Sequence, residues 1–328
     1  MLYREFGQTG WKVSAIGMGT WNIGNQWGNI DETTALATVR SGFDNGINIF
    51  DTAESYGVTP GLSEERLGKA LQGIRDEVYV VTKMGRWGRR TGQTIPMTTV
   101  DMVRLCAHAS LFRLRTDWID LMLCHEGKIK DPNTIKVYLE GFEVLKQQGY
   151  IRQYGISTDK LKVLKRFNVN NSCSAVEVDY SLLNREAEQE FLPYCQEHGI
   201  AVLVRGPLGK GLLSGKYEPN TVFTDNVRSE WYIDEKRRQK LESNMAKVEA
   251  LKSILKPGEE MIHTALRFPI SHPIEPVAIP GAKSPLQAAM NAKAGEKILS
   301  RQEIDKLLSQ MENSQTISVL EKNQAIVA

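Results

Sequence analysis

The stretch INIFDTAESYG, residues 47–57, is a short apolar run that ends in Asp51, followed by a loop that contains Tyr56. Two later apolar runs, VYVVTK and WIDLMLCH, also end in a titratable residue, which is Lys83 in the first and His125 in the second. In a parallel α/β barrel the carboxyl ends of the strands meet on one face, where chemistry is done. An unpaired charge at the edge of a core is costly. The three runs therefore predict a barrel whose strand ends bring four polar groups together.

The rest of the chain alternates short apolar runs with amphipathic segments, eight times in all, after two strands joined by QTGW. The runs are continuously apolar, which is typical of parallel strands that are buried on both faces. We therefore predict a (β/α)8 TIM barrel with an N-terminal β-hairpin, formed by residues 1–328 as a single domain. A doubly wound open sheet is the alternative, but IGMGTWNIGNQWG, after the first strand, lacks the G-x-G-x-x-G spacing.

Local signals add detail to this barrel. Asp31 and Ser63 each stand before an amphipathic run and are predicted N-caps of two helices. Residues 218–234, EPNTVFTDNVRSEWYID, have no clear period. Long irregular loops in compact domains tend to be functional, so this segment is a candidate to cover the mouth of the barrel.

Composition excludes several classes of protein. The formal net charge is +2 and the apolar share is 41%, so nothing favours binding to nucleic acid or to a membrane surface. The N-terminus is not a signal peptide, and no apolar run is long enough to span a bilayer. The four cysteines form no CxxC pair, which favours a reduced, cytoplasmic setting without a metal site. No obligate protein partner is predicted.

The four polar groups together suggest a proton-delivery device. A tyrosine has an ordinary pKa of about 10, and a neighbouring lysine ammonium lowers it. Asp51 can hold Lys83 charged and in place, while His125 can hydrogen-bond the same substrate oxygen as Tyr56. Such a set delivers a proton to a carbonyl oxygen as that oxygen becomes an alkoxide. The carbonyl carbon then needs a hydride, which implies a reduced nicotinamide cofactor.

These motifs resemble the aldo-keto reductase superfamily. FDTAESYG, VTKMG and LMLCHEG are similar to its Asp, Tyr, Lys and His motifs, and YSLLN, GPLGKGLLSGKY and IPGAKSPLQAAMN are similar to its cofactor motifs. The resemblance covers most of the chain and includes GMGTW after the hairpin. It implies a (β/α)8 barrel that binds NADPH, with NADH possible, and that transfers hydride to an aldehyde or ketone without a metal.

The resemblance also assigns roles to residues. It implies that Tyr56 donates the proton, that Lys83 and Asp51 tune it, and that His125 orients the carbonyl. It places Trp21 and Trp87, with Tyr56 and His125, around the substrate. The residues that it implies for cofactor binding are Gly19, Thr20, Trp21, Asp51, Ser157, Thr158, Glu177, Arg205, Gly206, Pro207, Leu208, Gly209, Gly211, Leu212, Lys283, Ser284, Gln287 and Asn291.

Several of these positions depart from the family's usual pattern. Thr158 replaces an asparagine, Glu177 a glutamine and Gln287 an arginine. Arg205 replaces an aromatic ring that stacks on the nicotinamide, and its positive charge is expected to favour the reduced cofactor. Lys283 and the neighbouring hydroxyl still favour NADP over NAD.

The sequence leaves three functions open. The first is an NADPH-dependent reductase of small aldehydes, ketoaldehydes or open-chain sugars. The second is an aldose or sugar dehydrogenase that uses NAD(P)⁺, and the third is a redox-sensing regulatory subunit that binds NADPH. Arg86, Arg89 and Arg90 could clamp an acidic aldehyde, or they could belong to a solvated loop.

Overall fold

The computed structural model describes residues 1–87, 96–218 and 220–312. Arg89, Arg90 and the C-terminal residues 313–328 lie outside the described residues. At the N-terminus, β1 (Tyr3–Glu5) and β2 (Lys12–Ser14) pair in antiparallel register and confirm the predicted hairpin.

Eight further strands form one parallel sheet in chain order, which confirms the predicted barrel. Each strand pairs with the next along the chain. Isolated parallel bridges from Ile16 to Ala278 and from Gly19 to Gly281 join the two outer strands and so bring the barrel close to closure. The strands are β3 (Met18–Gly19), β4 (Ile49–Asp51), β5 (Tyr79–Met84), β6 (Ile119–Cys124), β7 (Ile151–Ser157), β8 (Ala175–Asp179), β9 (Ala201–Arg205) and β10 (Val277–Ala278).

Helices surround this sheet. They are α1 (Glu32–Asp44), α2 (Leu62–Ala70), α3 (Val100–Leu114), α4 (Pro132–Gln147), α5 (Leu161–Phe167), α6 (Phe191–Glu197), α7 (Glu235–Ile254), α8 (Met261–Ile270) and α9 (Pro285–Ala294). Residues 301–312 are also helical. Asp31 caps α1 as predicted, because its side chain accepts a hydrogen bond from the Thr34 amide (2.8 Å).

The predicted N-cap at Ser63 is wrong. Helix α2 begins at Leu62, after Gly61, and Ser63 is buried inside its first turn. Its hydroxyl lies 2.8 Å from the Thr20 hydroxyl and 3.0 Å from that of Thr52. Ser63 therefore ties α2 to the carboxyl ends of β3 and β4, a tertiary role that competes with local capping.

The hairpin closes the amino end of the barrel. Phe6 and Val13 join the inward-facing strand residues in one buried cluster, and the Trp11 ring stacks on Tyr79 at the start of β5 (4.9 Å between centroids). Inside the sheet, Gly155 leaves room for its neighbour, since a Cβ there would lie 1.8 Å from the Ala175 carbonyl oxygen. The carboxyl end of the barrel is the face left for a site.

Candidate active site

Strand alternation brings the predicted polar residues to the inside of the barrel. In β4, β5 and β8, the inward apolar residues Ile49, Val81 and Ala175 belong to the interior cluster. Side chains two positions further along a strand point the same way. This alternation turns six residues inward at the carboxyl end of the barrel. Each comes from one of the strands β4 to β9, or from the position directly after it: Asp51, Lys83, His125, Ser157, Glu177 and Arg205.

Lys83 is the centre of the site. Its side chain is fully buried (0% exposed), and its Nζ lies 2.7 and 2.6 Å from the two carboxylate oxygens of Asp51. It also donates to the Thr52 carbonyl (3.0 Å) and to the Tyr56 hydroxyl (3.3 Å). Glu177 Oε2 lies 3.0 Å from the same nitrogen. One ammonium therefore contacts two carboxylates and the phenol.

Burial and the two carboxylates set the pKa of each group in this cluster. Burial lowers the pKa of Lys83, but attraction to Asp51 and Glu177 outweighs burial and raises the pKa above its ordinary value. Burial and repulsion from Glu177 raise the pKa of Asp51 well above its ordinary value despite Lys83. Two carboxylates on one ammonium carry an excess of negative charge, which favours retention of a proton.

Burial raises the pKa of Tyr56 to about 12. The expected lowering by Lys83 is present, but burial and the negative charge of Asp51 and Glu177 outweigh it. Tyr56 is therefore a neutral phenol throughout the neutral pH range and holds a proton that it can donate.

Aromatic rings enclose Tyr56. The Trp21 ring stacks on it at 5.5 Å, and the His125 ring meets it edge-on at 5.9 Å. His125 is buried, and its backbone amide donates to the Met84 carbonyl (2.8 Å), which fixes the residue beside β5. Asp51, Tyr56, Lys83 and His125 thus come together as predicted.

Ser157 and Thr158, both predicted at the nicotinamide end, have different surroundings in the structure. Ser157 donates to Glu177 Oε1 (3.3 Å) inside the barrel. Thr158 instead donates its hydroxyl to the Gly127 carbonyl (2.7 Å), so that side chain holds a neighbouring loop. The contact between Glu177 and Lys83 was not expected from the sequence. Strand alternation in the sequence places both side chains inside the barrel, and this pattern could have indicated the contact.

Arg205 is held by two carboxylates that lie at or just beyond the ends of β7 and β8. Its guanidinium bonds Asp159, just after β7, and lies 3.5 Å from Asp179 at the end of β8. The positive charge of Arg205 is therefore balanced by these carboxylates before any ligand binds. For this reason, Arg205 alone is no longer expected to favour the reduced nicotinamide ring.

In the loop after β9, the conformation of the backbone is the notable feature. Gly209 and Gly211 adopt left-handed conformations (φ 56° and 94°), which most other residues disfavour. The apolar side chains of Pro207 and Leu212 are buried, while Leu208 is half-buried. Together with Gly206, these residues form the turn that was predicted to wrap a pyrophosphate.

The residues predicted at the adenosine end gather around the start of α9. Ser284 caps this helix and accepts a bond from the Gln287 amide (3.3 Å). Lys283 Nζ donates to the Trp27 carbonyl (2.8 Å), and Asn291 donates to the Gly281 carbonyl (3.2 Å). Next to them, where β3 meets the end of β10, Gly19 bridges to Gly281, and the Thr20 hydroxyl donates to the Asp51 carbonyl (2.9 Å).

A ladder of rings connects the site to the 218–234 segment. Trp21 meets the Trp27 ring edge-on (5.0 Å), and the Arg228 guanidinium lies 5.8 Å from the Trp27 ring. Arg228 is held by Asp225 (2.7 Å). A cavity of about 540 Å³ lies between residues 25–29 and the described part of this segment.

Two further residues bear on the mouth. Trp87, predicted to contact substrate, packs its ring over the Arg113 guanidinium of α3 (4.6 Å). Glu54 was not predicted from the sequence, although it lies between Asp51 and Tyr56 in the loop after β4. Its buried carboxylate accepts bonds from the amides of Gly85 (2.5 Å) and Arg86 (2.9 Å). Burial raises the pKa of Glu54 to about 7.

Within residues 1–87, 96–218 and 220–312, no group of three or more His, Cys, Asp or Glu side chains is arranged to hold a metal ion. The helices described there are not long and apolar enough for any of them to cross a membrane.

Comparison with known proteins agrees with this geometry. The model of the Aldo/keto reductase family matches residues 15–311. The chain is 33% identical over 297 residues to aldo-keto reductase YhdN of Bacillus subtilis (strain 168), which covers 88% of this chain and 86% of that protein. It is 34% identical over 224 residues to L-galactose dehydrogenase of Arabidopsis thaliana, which covers 66% of this chain and 68% of that protein.

Solved structures are also similar. Aldo-keto reductase AKR11C1 from Bacillus halodurans (holo form) superposes with a TM-score of 0.77 and 32% identity, over 95% of this chain and 96% of that chain. A Klebsiella pneumoniae aldo-keto reductase in complex with NADPH superposes with a TM-score of 0.71 and 26% identity, over 94% of each chain.

Proposed function

This chain belongs to the aldo/keto reductase family, and we propose that it reduces small aldehydes, ketoaldehydes or open-chain sugars with Tyr56 as the proton donor. It is an NADP-dependent oxidoreductase, in line with the NADPH complex among its structural neighbours. The observation that carries the proposal is the contact of Lys83 Nζ with the Tyr56 hydroxyl (3.3 Å) while the same nitrogen is paired with Asp51 (2.6 Å).

NADPH, when bound, supplies the hydride. Tyr56 delivers its proton to the carbonyl oxygen, and Lys83 stabilises the phenolate that remains. Asp51 keeps the ammonium charged and in place. His125, edge-on to the phenol ring, is positioned to hydrogen-bond the same oxygen and orient the carbonyl. Trp21 covers the phenol and keeps water away from it.

The residues present fit a nicotinamide dinucleotide. At one end, the Ser157 hydroxyl and the Glu177 carboxylate stand at the ends of neighbouring strands, ready to meet a carboxamide. In the middle, residues 209–211 form a left-handed turn whose two glycines have no side chain to keep a pyrophosphate away from the backbone. At the other end, Lys283 supplies a charge and Ser284 a hydroxyl at the start of α9. We propose these groups as the cofactor contacts.

We also propose that residues 218–234 cover the mouth of a single barrel domain, on the strength of the ring ladder through Trp27 and Arg228. A cytoplasmic location is proposed from the free cysteines and the lack of a CxxC pair. A substrate role for Trp87 remains a proposal supported by its position just after β5.

The test is the absorbance of the reduced nicotinamide, followed with NADPH and then NADH against a panel of small aldehydes and ketoaldehydes. Tyr56→Phe is expected to lower kcat/KM by about 10²- to 10⁴-fold, the usual contribution of a general acid, while NADPH still binds. Tyr3→Phe, which removes an exposed hydroxyl far along the chain from the site, is the matched control. Turnover that survives Tyr56→Phe would overturn the assigned role of Tyr56.

Oxidation of a sugar or polyol is the second candidate function, and the charge around Lys83 favours binding of the oxidised cofactor that it needs. Two carboxylates contact this lysine, and negative charge suits a cationic oxidised ring. The same panel run with NADP⁺ and sugars decides between the two directions. Tight NADPH binding with no turnover in either direction would leave the redox-sensing subunit as the better account.

A further inference from the structure

We propose that Glu177 biases the cofactor site toward the oxidised form of the cofactor, by placing a second carboxylate on the lysine that serves the catalytic tyrosine. The inference rests on the proposed function and adds to it a specificity-determining residue. It follows from the contacts of Glu177, from the count of charges around it, and from the difference in charge between the two forms of the cofactor.

The contacts place Glu177 inside the site. Its side chain is 1% exposed, its Oε2 lies 3.0 Å from Lys83 Nζ, and its Oε1 accepts a hydrogen bond from Ser157 (3.3 Å). Lys83 stands on β5 and Glu177 on β8, so the pair crosses the mouth of the barrel instead of joining neighbouring strands. A glutamine at this position would keep the shape and lose the charge.

The charges around Glu177 do not balance. Asp51 and Glu177 share one ammonium, and Arg205 is already opposed by Asp159 and Asp179. Lys210, an exposed residue in the loop after β9, is a more distant cation that interacts with Asp179. Lys83, Tyr56 and Arg205 interact electrostatically with the pair of carboxylates, His125 lies against Tyr56, and Asp159, Asp179 and Lys210 surround Arg205 one step further out.

A buried excess of negative charge is relieved in one of two ways. Asp51 can hold a proton, in agreement with its raised pKa, or the pair can accept a cation. The oxidised nicotinamide ring is a cation, whereas the reduced ring is neutral. A bound oxidised ring therefore gains attraction from Glu177, and its charge favours loss of any proton that Asp51 holds, whereas the neutral reduced ring does neither.

This bias acts on the direction of the reaction. A site that binds NADP⁺ more tightly than NADPH stabilises the oxidised form in the enzyme-bound equilibrium, and so favours hydride transfer from bound NADPH to a carbonyl while slowing the release of NADP⁺. Because proton release accompanies binding of NADP⁺, the preference for NADP⁺ grows as the pH rises. Glu177→Gln removes the second carboxylate, and with it both the preference and its dependence on pH.

The test measures binding and not turnover. The dissociation constants of NADP⁺ and NADPH are determined by tryptophan fluorescence at pH 6 and pH 8 for the full chain and its variants. In Glu177→Gln, the ratio Kd(NADP⁺)/Kd(NADPH) is expected to rise by about tenfold at pH 8, the size of effect that one partly shielded charge produces near another. Glu177→Asp keeps the charge and should keep most of the preference.

Glu64→Gln is the matched control, because Glu64 is an equally buried glutamate that pairs with Arg113 (2.6 Å) on the helical layer. It should leave the ratio unchanged. Equal ratios in the wild type and Glu177→Gln, with both forms still bound, would overturn the inference and leave the proposed function intact. Failure of the wild-type protein to bind either cofactor would instead overturn the proposed function, and the inference with it.

Discussion

Lys83→Met removes the ammonium that contacts Asp51, Glu177 and Tyr56, while keeping the length of the side chain. The effect on catalysis can be worked from the geometry. Two unit charges separated by the 3.3 Å between Lys83 Nζ and the Tyr56 hydroxyl interact by about 5 kcal/mol at an effective dielectric constant of about 20. Asp51 and Glu177 offset part of that attraction. A remaining 3 kcal/mol or so predicts a loss in kcat/KM on the order of 10².

The same change lowers the stability of the protein, by an amount that depends on pH. Without Lys83, the two buried carboxylates lose their counterion, so the pKa of Asp51 rises further above its ordinary value. When folding raises the pKa of an acid, the free energy of unfolding falls as the pH rises from the pKa of the unfolded state toward the pKa of the folded state. The loss, about 3–5 kcal/mol for breaking a buried pair, should therefore be larger at pH 8 than at pH 5.

The assay combines steady-state kinetics with thermal melting at pH 5 and pH 8. Lys69→Met is the matched control, because Lys69 forms a partly exposed pair with Glu32 (2.9 Å) on the outer helices. It should change neither kcat/KM nor the dependence of Tm on pH. A Lys83→Met enzyme with kcat/KM within about threefold of the wild type, a difference under 1 kcal/mol, would refute the role of Lys83 in stabilising the phenolate. An equal loss of Tm at both pH values would refute the charge argument.

Three further predictions test other parts of the structure. Burial raises the pKa of Glu54 to about 7, so in the wild type this residue lowers stability as the pH rises from about 5 to 7. Glu54→Gln should flatten that part of the curve of Tm against pH, and an unchanged slope would contradict the assigned pKa. Arg228→Ala removes the contacts to Trp27 and Asp225; limited proteolysis within residues 218–234 should become faster and the KM for NADPH should rise, whereas unchanged values would mean that this segment does not cover the site. Gly155→Ala places a Cβ 1.8 Å from a backbone carbonyl, so the variant should fail to fold, and a normally melting protein would show that the strands can separate there.

The barrel and the four catalytic candidates could be predicted from the sequence because both depend on local patterns. A continuously apolar run predicts a buried parallel strand, and a titratable residue at its end predicts where the charge lies. Asp51, Lys83 and His125 follow from this argument alone. Tyr56 follows from its position in the loop after the first of these runs.

Contacts across the barrel could not be predicted in the same way. Glu177 meets Lys83 from a strand three places away, and a distance across a closed sheet depends on its curvature and register, which one strand's sequence does not carry. Ser63 was misassigned for a related reason. Its local pattern suited an N-cap, but Thr20 and Thr52 from two strand ends offered its hydroxyl partners inside the core.

The raised pKa of Tyr56 and the pairing of Lys83 with two carboxylates are compatible with the proposed roles of these residues, because the two residues would act at different stages. A general acid must hold its proton until the substrate oxygen becomes basic, and burial under Trp21 keeps the phenol neutral until then. Lys83 is useful when the phenolate appears, since an interaction that strengthens only as charge develops lowers the barrier rather than the energy of the starting complex. Asp51 and Glu177 hold the ammonium 3.3 Å from the phenol oxygen in the meantime. The two carboxylates therefore reduce the extent to which Lys83 lowers the pKa of Tyr56 before the reaction. They still hold the ammonium where it can stabilise the phenolate in the transition state.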